Sequence, residues 1–373
     1  METKPIGLYV HIPFCIRKCN YCDFCSVAAS ENKIKLYTDT LVSEISSYAR
    51  EPKARINTVF FGGGTPSVLS SADFEKIVSK IRDTFELCDD TEFSVEVNPA
   101  TVTAEKAKTF KTLGVNRVSI GLQSIHENEM KILGRIHNYS DFLETYRVFR
   151  DAGIGNINVD LMYGIPEQTA KSFRETLAAV ANLAPEHISA YGLIVEEGTP
   201  FYNMRDKLIL PSEDEEYGMY KDAVSSLGKL GYSHYEISNY AKSGFECRHN
   251  LKYWRDEEYI GAGLSAHSYY LGKRYSNTSD FDEYFDGFGA KYRKAESETD
   301  GVDKFEYAML ALRLSEGLSL SEYRKLFGEE FACDKRELLV RYITEGFMAC
   351  TEDRIYFTDK GFYVSNTILA QLL

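Results

Sequence analysis

The sequence predicts an α/β protein: six β-α units in series, followed by a small winged-helix-like C-terminal domain. Two observations carry this reading. Short apolar, strand-like runs alternate with segments of helical period over the first two-thirds of the 373 residues, the pattern of parallel strands joined by helical crossovers. Beyond residue 300 the order changes to helix, helix, helix and a two-stranded ribbon. Periodicity alone does not separate a barrel from an open sheet; either form places functional groups at the carboxyl ends of the strands.

The elements follow in order. Ile6 to Ile12 reads as a strand. Lys33 to Arg50 reads as a helix, with Ile34, Tyr37, Leu41, Ile45 and Tyr48 on one face. Thr58 to Phe61 is a short buried strand running into Gly62, Gly63 and Gly64. Ser71 to Phe85 is a helix capped by Ser70 or Ser71. Glu92 to Val97, Arg117 to Leu122, Ile157 to Tyr163 and His187 to Leu193 are strands, separated by helices over Thr103 to Leu113, Ser140 to Ala152 and Ala170 to Asn182. Pro211 to Tyr232 is a further helix and turn. Tyr235 to Tyr275 has no clean period. The final part holds helices near Lys304 to Leu314, Ser319 to Leu326 and Lys335 to Glu345, then a hairpin over Met348 to Phe357 and a last helix from Asp359. Three parts are expected: 1–200 as the core, 201–298 as an extension and connecting segment, and 299–373 as the C-terminal domain.

Composition narrows the function classes. The formal charge of −13 argues against free nucleic acid, whose binding relies on a basic surface. No run approaches the roughly 20 apolar residues of a membrane span, and Met1 to Val10 lacks a signal-peptide pattern, so the chain is read as cytoplasmic, with peripheral membrane contact and a homodimer both compatible.

Four of the eight cysteines fall between Cys15 and Cys25. Thiols stay reduced in the cytosol, so such crowding points to metal. Zinc sites generally use two ligand pairs far apart in sequence, and a redox dithiol needs only one C-x2-C. One short loop with a wide C-x3-C gap suits an iron–sulfur cubane better, with zinc or redox use as the runner-up. The chemically suggestive residues (Cys15, Cys19, Cys22, Gly62, Glu96, Gln123 and Asp160) all lie at or just after a strand end, which one shared site accounts for.

Cys15-x3-Cys19-x2-Cys22, with Tyr21 just before the third cysteine, resembles the signature of the radical S-adenosylmethionine superfamily. The resemblance implies a partial (β/α)6 barrel. It also implies a [4Fe–4S] cluster on Cys15, Cys19 and Cys22, with one iron left open for S-adenosylmethionine and Cys25 outside the ligand set. By the same resemblance the glycine run with Gly63, Gly64 and Thr65 holds the methionine amino group. Glu96 in Val95-Glu96-Val97-Asn98-Pro99 is a carboxylate receiving ligand protons, and Gln123 an amide donor and acceptor. Arg135 in Leu133-Gly134-Arg135 is a carboxylate partner, Asp160 a ribose binder, and Tyr9 and Tyr21 line the site.

Across nearly the whole chain the likeness is greatest to the oxygen-independent coproporphyrinogen III oxidase group. This group holds both a true dehydrogenase and a branch of heme chaperones. Three features favour the chaperone branch. Fourteen residues precede Cys15, against a longer extension in the dehydrogenase. Phe24 stands where the dehydrogenase has its fourth cysteine. The segment His249-Asn250-Leu251-Lys252-Tyr253-Trp254 matches an H-N-x-x-Y-W motif. Imidazole is a common axial ligand to heme iron, and Tyr253 and Trp254 are suited to stacking on a macrocycle, so His249 is expected to contact heme, with His267 as a weaker second candidate. The implied partners are heme, acceptor hemoproteins and an electron donor. The alternative is radical oxidative decarboxylation of coproporphyrinogen III.

Overall fold

The computed structural model describes residues 4–287, 291, 293–297 and 302–373. The six expected β-α units are present: β1 (Ile6–Ile12), α1 (Glu31–Ser47), β2 (Arg55–Gly63), α2 (Ser71–Thr84), β3 (Glu86–Val97), α3 (Ala104–Thr112), β4 (Arg117–Gln123), the short α4 (Glu127–Ile132), α5 (Tyr139–Asp151), β5 (Asn156–Tyr163), α6 (Ala170–Ala181) and β6 (His187–Gly192). The helices begin where hydroxyl and amide side chains satisfy free N–H groups: Ser30, Ser70, Thr103, Asn138 and Thr169 each accept from a first-turn amide, the usual N-cap device. β1 to β6 pair in parallel in sequence order.

Side chains alternate across each strand. In β4, Val118, Ile120 and Leu122 are wholly buried on the helix side, where they join the main apolar core with Leu8, Val10, Val59, Val95, Val159 and Ile188. The opposite face carries Arg117, Ser119, Gly121 and Gln123. The same phase puts Glu92, Ser94 and Glu96 of β3 and Asn158 and Asp160 of β5 on the inner side. The sheet therefore curls with its apolar face toward the helices and its polar face around a cavity.

The segment after residue 200, which shows no single period, completes this architecture. Tyr259–Ala262 pairs in parallel with β1, and Asn239–Ala241 runs antiparallel to β6. Among the described residues one sheet of twelve strands results, with β1 to β6 at its centre. These added strands are only three or four residues long, too short for a periodic signal.

In the C-terminal part, helices Lys304–Ala311, Leu320–Phe327 and Arg336–Thr344 precede a ribbon of Met348–Cys350 and Arg354–Phe357, extended by the two-residue strand Leu318–Ser319. The single final helix expected from Asp359 is two, Asp359–Tyr363 and Ser365–Leu372. The expected boundary at 298/299 falls outside the described residues. No helix among the described residues is long and apolar enough to cross a membrane.

Candidate functional site

One cavity lies inside the curl, with about 1670 Å³ of empty space including its open mouth. Most site residues read from the sequence line it: Cys15, Cys19, Cys22, Tyr9, Tyr21, Gly63, Gly64, Thr65, Glu96, Gln123, Arg135, Asp160 and His249. His267 does not; it is exposed, at the start of the strand His267–Tyr270.

The cysteine loop leaves β1 and is tied down along its length. Cys15 N donates to Val27 O at 3.0 Å, Thr65 N to Phe14 O at 2.7 Å, and Asn20 N to Leu133 O at 2.9 Å. The Thr65 hydroxyl reaches Cys15 Sγ at 3.5 Å, and Arg135 Nη1 reaches Cys19 Sγ at 3.6 Å. Cys25 stands apart from the trio. Its carbonyl accepts a hydrogen bond involving His11 Nε2 at 3.0 Å, and its side chain is not part of the cavity wall. Among the described residues no three Cys, His, Asp or Glu side chains converge on one ion position.

The glycine run is sterically compelled. Gly63 has φ +109°, and a Cβ there would lie 2.5 Å from the His11 ring. At Gly64 a Cβ would fall 2.7 Å from Phe14 O. The chain thus passes close to the cavity with its amides in reach of a ligand. Gly63 N already donates to Glu96 Oε2 at 3.1 Å. Gln123 ends β4 at φ +66°, a rare conformation for a side chain of this kind, and its Oε1 is buried without a partner. Arg135 donates through Nη2 to Asn98 Oδ1 at 2.9 Å and also to Gly121 O, while its Nε has no partner. Asp160 accepts from Ser119 Oγ at 3.1 Å and Asn158 Nδ2 at 2.7 Å. Polar atoms left over at one cavity wall fit a ligand rich in amino, carboxylate and hydroxyl groups, as S-adenosylmethionine is.

Burial, with the Asp160 charge beside it, pushes the Glu96 carboxyl up to about 8 from its ordinary 4.5. The fold then holds a proton that the unfolded chain releases, so this group lowers stability progressively as pH rises between these two values. We expect thermal midpoints of the ligand-free protein to fall over this range, and Glu96→Gln to flatten the fall; an identical slope in the variant would show that another group titrates.

The helix Arg248–Trp254, carrying the H-N-x-x-Y-W segment, plugs the floor. Glu92 caps it, accepting from Arg248 N at 3.0 Å and His249 N at 3.1 Å. His249 is wholly buried, with Nδ1 hydrogen-bonded to Thr58 Oγ1 and Nε2 to Tyr253 Oη, both at 2.8 Å. Burial and the neighbouring Lys252 and Arg117 charges lower its pKa to about 3, so it stays neutral. Residues four apart share a helix face, which puts Tyr253 with His249 on the cavity wall; Trp254, one position on, is not part of that wall. This corrects the expectation that Trp254 stacks in the site.

Sequence reasoning missed Phe60, Arg117, Ser119, Asn158, Ser189 and Tyr191, all of which line the same cavity. Phe60 stacks between Tyr9 and His249, with centroids 6.3 and 5.3 Å away. Their signal was present as the period-two alternation within each strand.

Comparison with known proteins gives the family. Residues 9–180 match the family model of the radical SAM superfamily, and residues 304–364 that of the HemN C-terminal domain. The chain is 34% identical to a protein named heme chaperone HemW of Lactococcus lactis over 100% of its own length and 98% of that protein. It is 35% identical to the HemW of Bacillus subtilis over 98% of each, and 33% identical to that of Escherichia coli over 100% and 99%. Among solved structures, coproporphyrinogen III oxidase (HemN) of Escherichia coli superposes with a TM-score of 0.84 at 24% identity, covering 98% of this chain and 89% of that one, which is a likeness of fold. With its cysteine loop, glycine run and polar barrel interior in one cavity and a third of its residues shared end to end, the chain belongs to the HemW family within the radical SAM superfamily.

Proposed function

We propose that this protein is a heme carrier: it binds heme and passes it to acceptor hemoproteins, with a [4Fe–4S] cluster on Cys15, Cys19 and Cys22 and S-adenosylmethionine beside it. The observation that supports this most is the end-to-end similarity to three proteins named heme chaperones. In this superfamily the cluster, when bound, supplies one-electron reduction of S-adenosylmethionine.

The chain's own residues would divide the work as follows. Gly63, Gly64 and Thr65 present backbone to the methionine end, and Arg135 offers a fork to its carboxylate. Glu96, Gln123 and Asp160 take the remaining amino and hydroxyl groups, and Tyr21 closes the side by the cysteine loop. The cavity, about 540 Å³ without its open mouth, lies within the roughly 300–1,000 Å³ of a typical small-ligand pocket, and Tyr9, Phe60 and Tyr253 give it an aromatic wall. An electron donor would approach the cysteine loop, where Ile16 and Phe24 are exposed.

For His249 the geometry favours contact through the floor it builds. An axial bond from Nε2 would first displace the Tyr253 hydroxyl. His249→Ala is therefore expected to lower the thermal midpoint and to leave the absorption spectrum of added heme unchanged; loss of the bound-heme band would make His249 the axial ligand instead. The deciding experiment is anaerobic incubation of the reconstituted, reduced protein with coproporphyrinogen III and S-adenosylmethionine. The carrier reading expects no protoporphyrinogen; its formation would establish the dehydrogenase alternative.

A further inference from the structure

Arg117 opens β4 on the inner face, one layer deeper in the barrel than Glu96 and Ser119: across the sheet it pairs with Ser94 of β3 and Asn156 of β5, while Ser119 pairs with Glu96 and Asn158. Its side chain is 2% exposed yet borders the cavity. The guanidinium has five N–H donors, and the contact found for them is a long one, Nη1 to Ser94 Oγ at 3.5 Å. Its Nε has no partner. The nearby carboxylates are committed elsewhere. Glu92 accepts from the amides of Arg248 and His249, and Asp160 is held by Ser119 and Asn158. Neither lies within ion-pair distance of Arg117. Burial disfavours the charged form, but the neighbouring Cys247, Glu92, Tyr235 and Asp160 together outweigh it and Arg117 stays protonated.

A buried cation without a bonded anion is costly. A guanidinium that keeps its fork free inside a cavity is matched by a ligand carboxylate, which it binds with two parallel hydrogen bonds. Arg135, at the level of the glycine run, already serves one wall. Arg117 lies on the floor side, too deep to act on the same group. The geometry points to a second acid-binding subsite: Arg117 receives a carboxylate of a ligand in the barrel, and for a tetrapyrrole that carboxylate is a propionate arm reaching below the macrocycle. The porphyrin source rests on the carrier reading above; the carboxylate of S-adenosylmethionine, assigned to Arg135, serves as the control.

The test uses the full-length, cluster-reconstituted protein and two matched pairs of ligands: heme against heme dimethyl ester, and S-adenosylmethionine against its decarboxylated form. Affinities are measured for the wild type, Arg117→Gln and Arg117→Lys. The wild type is expected to prefer heme over its dimethyl ester by about tenfold or more. Arg117→Gln should lose this preference, and Arg117→Lys should keep part of it. If Arg117→Gln does not fold, an unchanged preference in Arg117→Lys overturns the subsite. It is equally overturned if Arg117→Gln folds and keeps the preference for heme, or if the wild type shows none, since a merely structural arginine would alter the thermal midpoint and not the discrimination; the preference for S-adenosylmethionine should survive in both variants. If the wild type binds neither heme nor its ester, the carrier reading fails and the subsite with it, whereas a wild type that binds both equally sinks the subsite alone.

Discussion

Replacing Cys15, Cys19 or Cys22 with alanine, one at a time, should abolish the visible absorption and the bound iron and sulfide of anaerobically reconstituted protein, while Cys25→Ala should retain them. The asymmetry follows from placement. The first three thiols border the cavity and Cys25 does not. A cubane held by three protein sulfurs has no spare protein ligand, so losing one sulfur opens a second iron and the assembly becomes labile. Burial raises Cys22 to about 11 in the metal-free chain, so metal binding must drive off its proton, and assembly should weaken as pH falls. Iron and sulfide analysis with absorption spectra of the four variants checks this. Retention of a full cluster in any of the first three, or its loss in Cys25→Ala, would refute the assignment.

Gly63→Ala should reduce S-adenosylmethionine affinity by at least about tenfold and destabilise the fold by about 1–3 kcal/mol, the range for a non-glycine residue held in a strained backbone region. Two effects combine. The backbone is at φ +109°, and the new methyl would press on the His11 ring at 2.5 Å. His11 cannot yield freely, because its ring bonds to Tyr9 Oη at 3.0 Å and to Cys25 O at 3.0 Å. Moving it would shift the cysteine loop on one side and the aromatic wall on the other. Gly228→Ala is the control: it lies within the helix Glu213–Lys229 with nothing within 4 Å of a new Cβ, and should stabilise by about 0.5–1 kcal/mol. Isothermal titration and thermal unfolding of the two variants provide the comparison. Normal ligand affinity in Gly63→Ala would show that this close approach is not part of the binding site.

Much of the barrel was legible because its signals are local. A strand of seven or eight residues such as β1 or β5 carries enough alternation to be read, and α2 and α6 announce themselves through an apolar face and a hydroxyl cap. The cysteine spacing and the glycine run are likewise contiguous. The short strands Asn239–Ala241 and Tyr259–Ala262 were not legible, because three or four residues hold too little periodicity and their pairing with β6 and β1 is made across long stretches of chain.

The site divides in the same way. The sequence by itself determined which residues could bear chemistry: the cysteine trio, the glycine run, and the polar phase of each strand. Only the tertiary structure decided which of them meet. It seated His249 in the floor with both ring nitrogens engaged, turned Trp254 out of the cavity wall, set Cys25 apart from its three neighbours, and left Arg117 buried with its fork unmatched. The reason is that alternation fixes the face on which a side chain lies, whereas its partners, and any bonds it lacks, depend on how far the sheet curls and which segment closes its base.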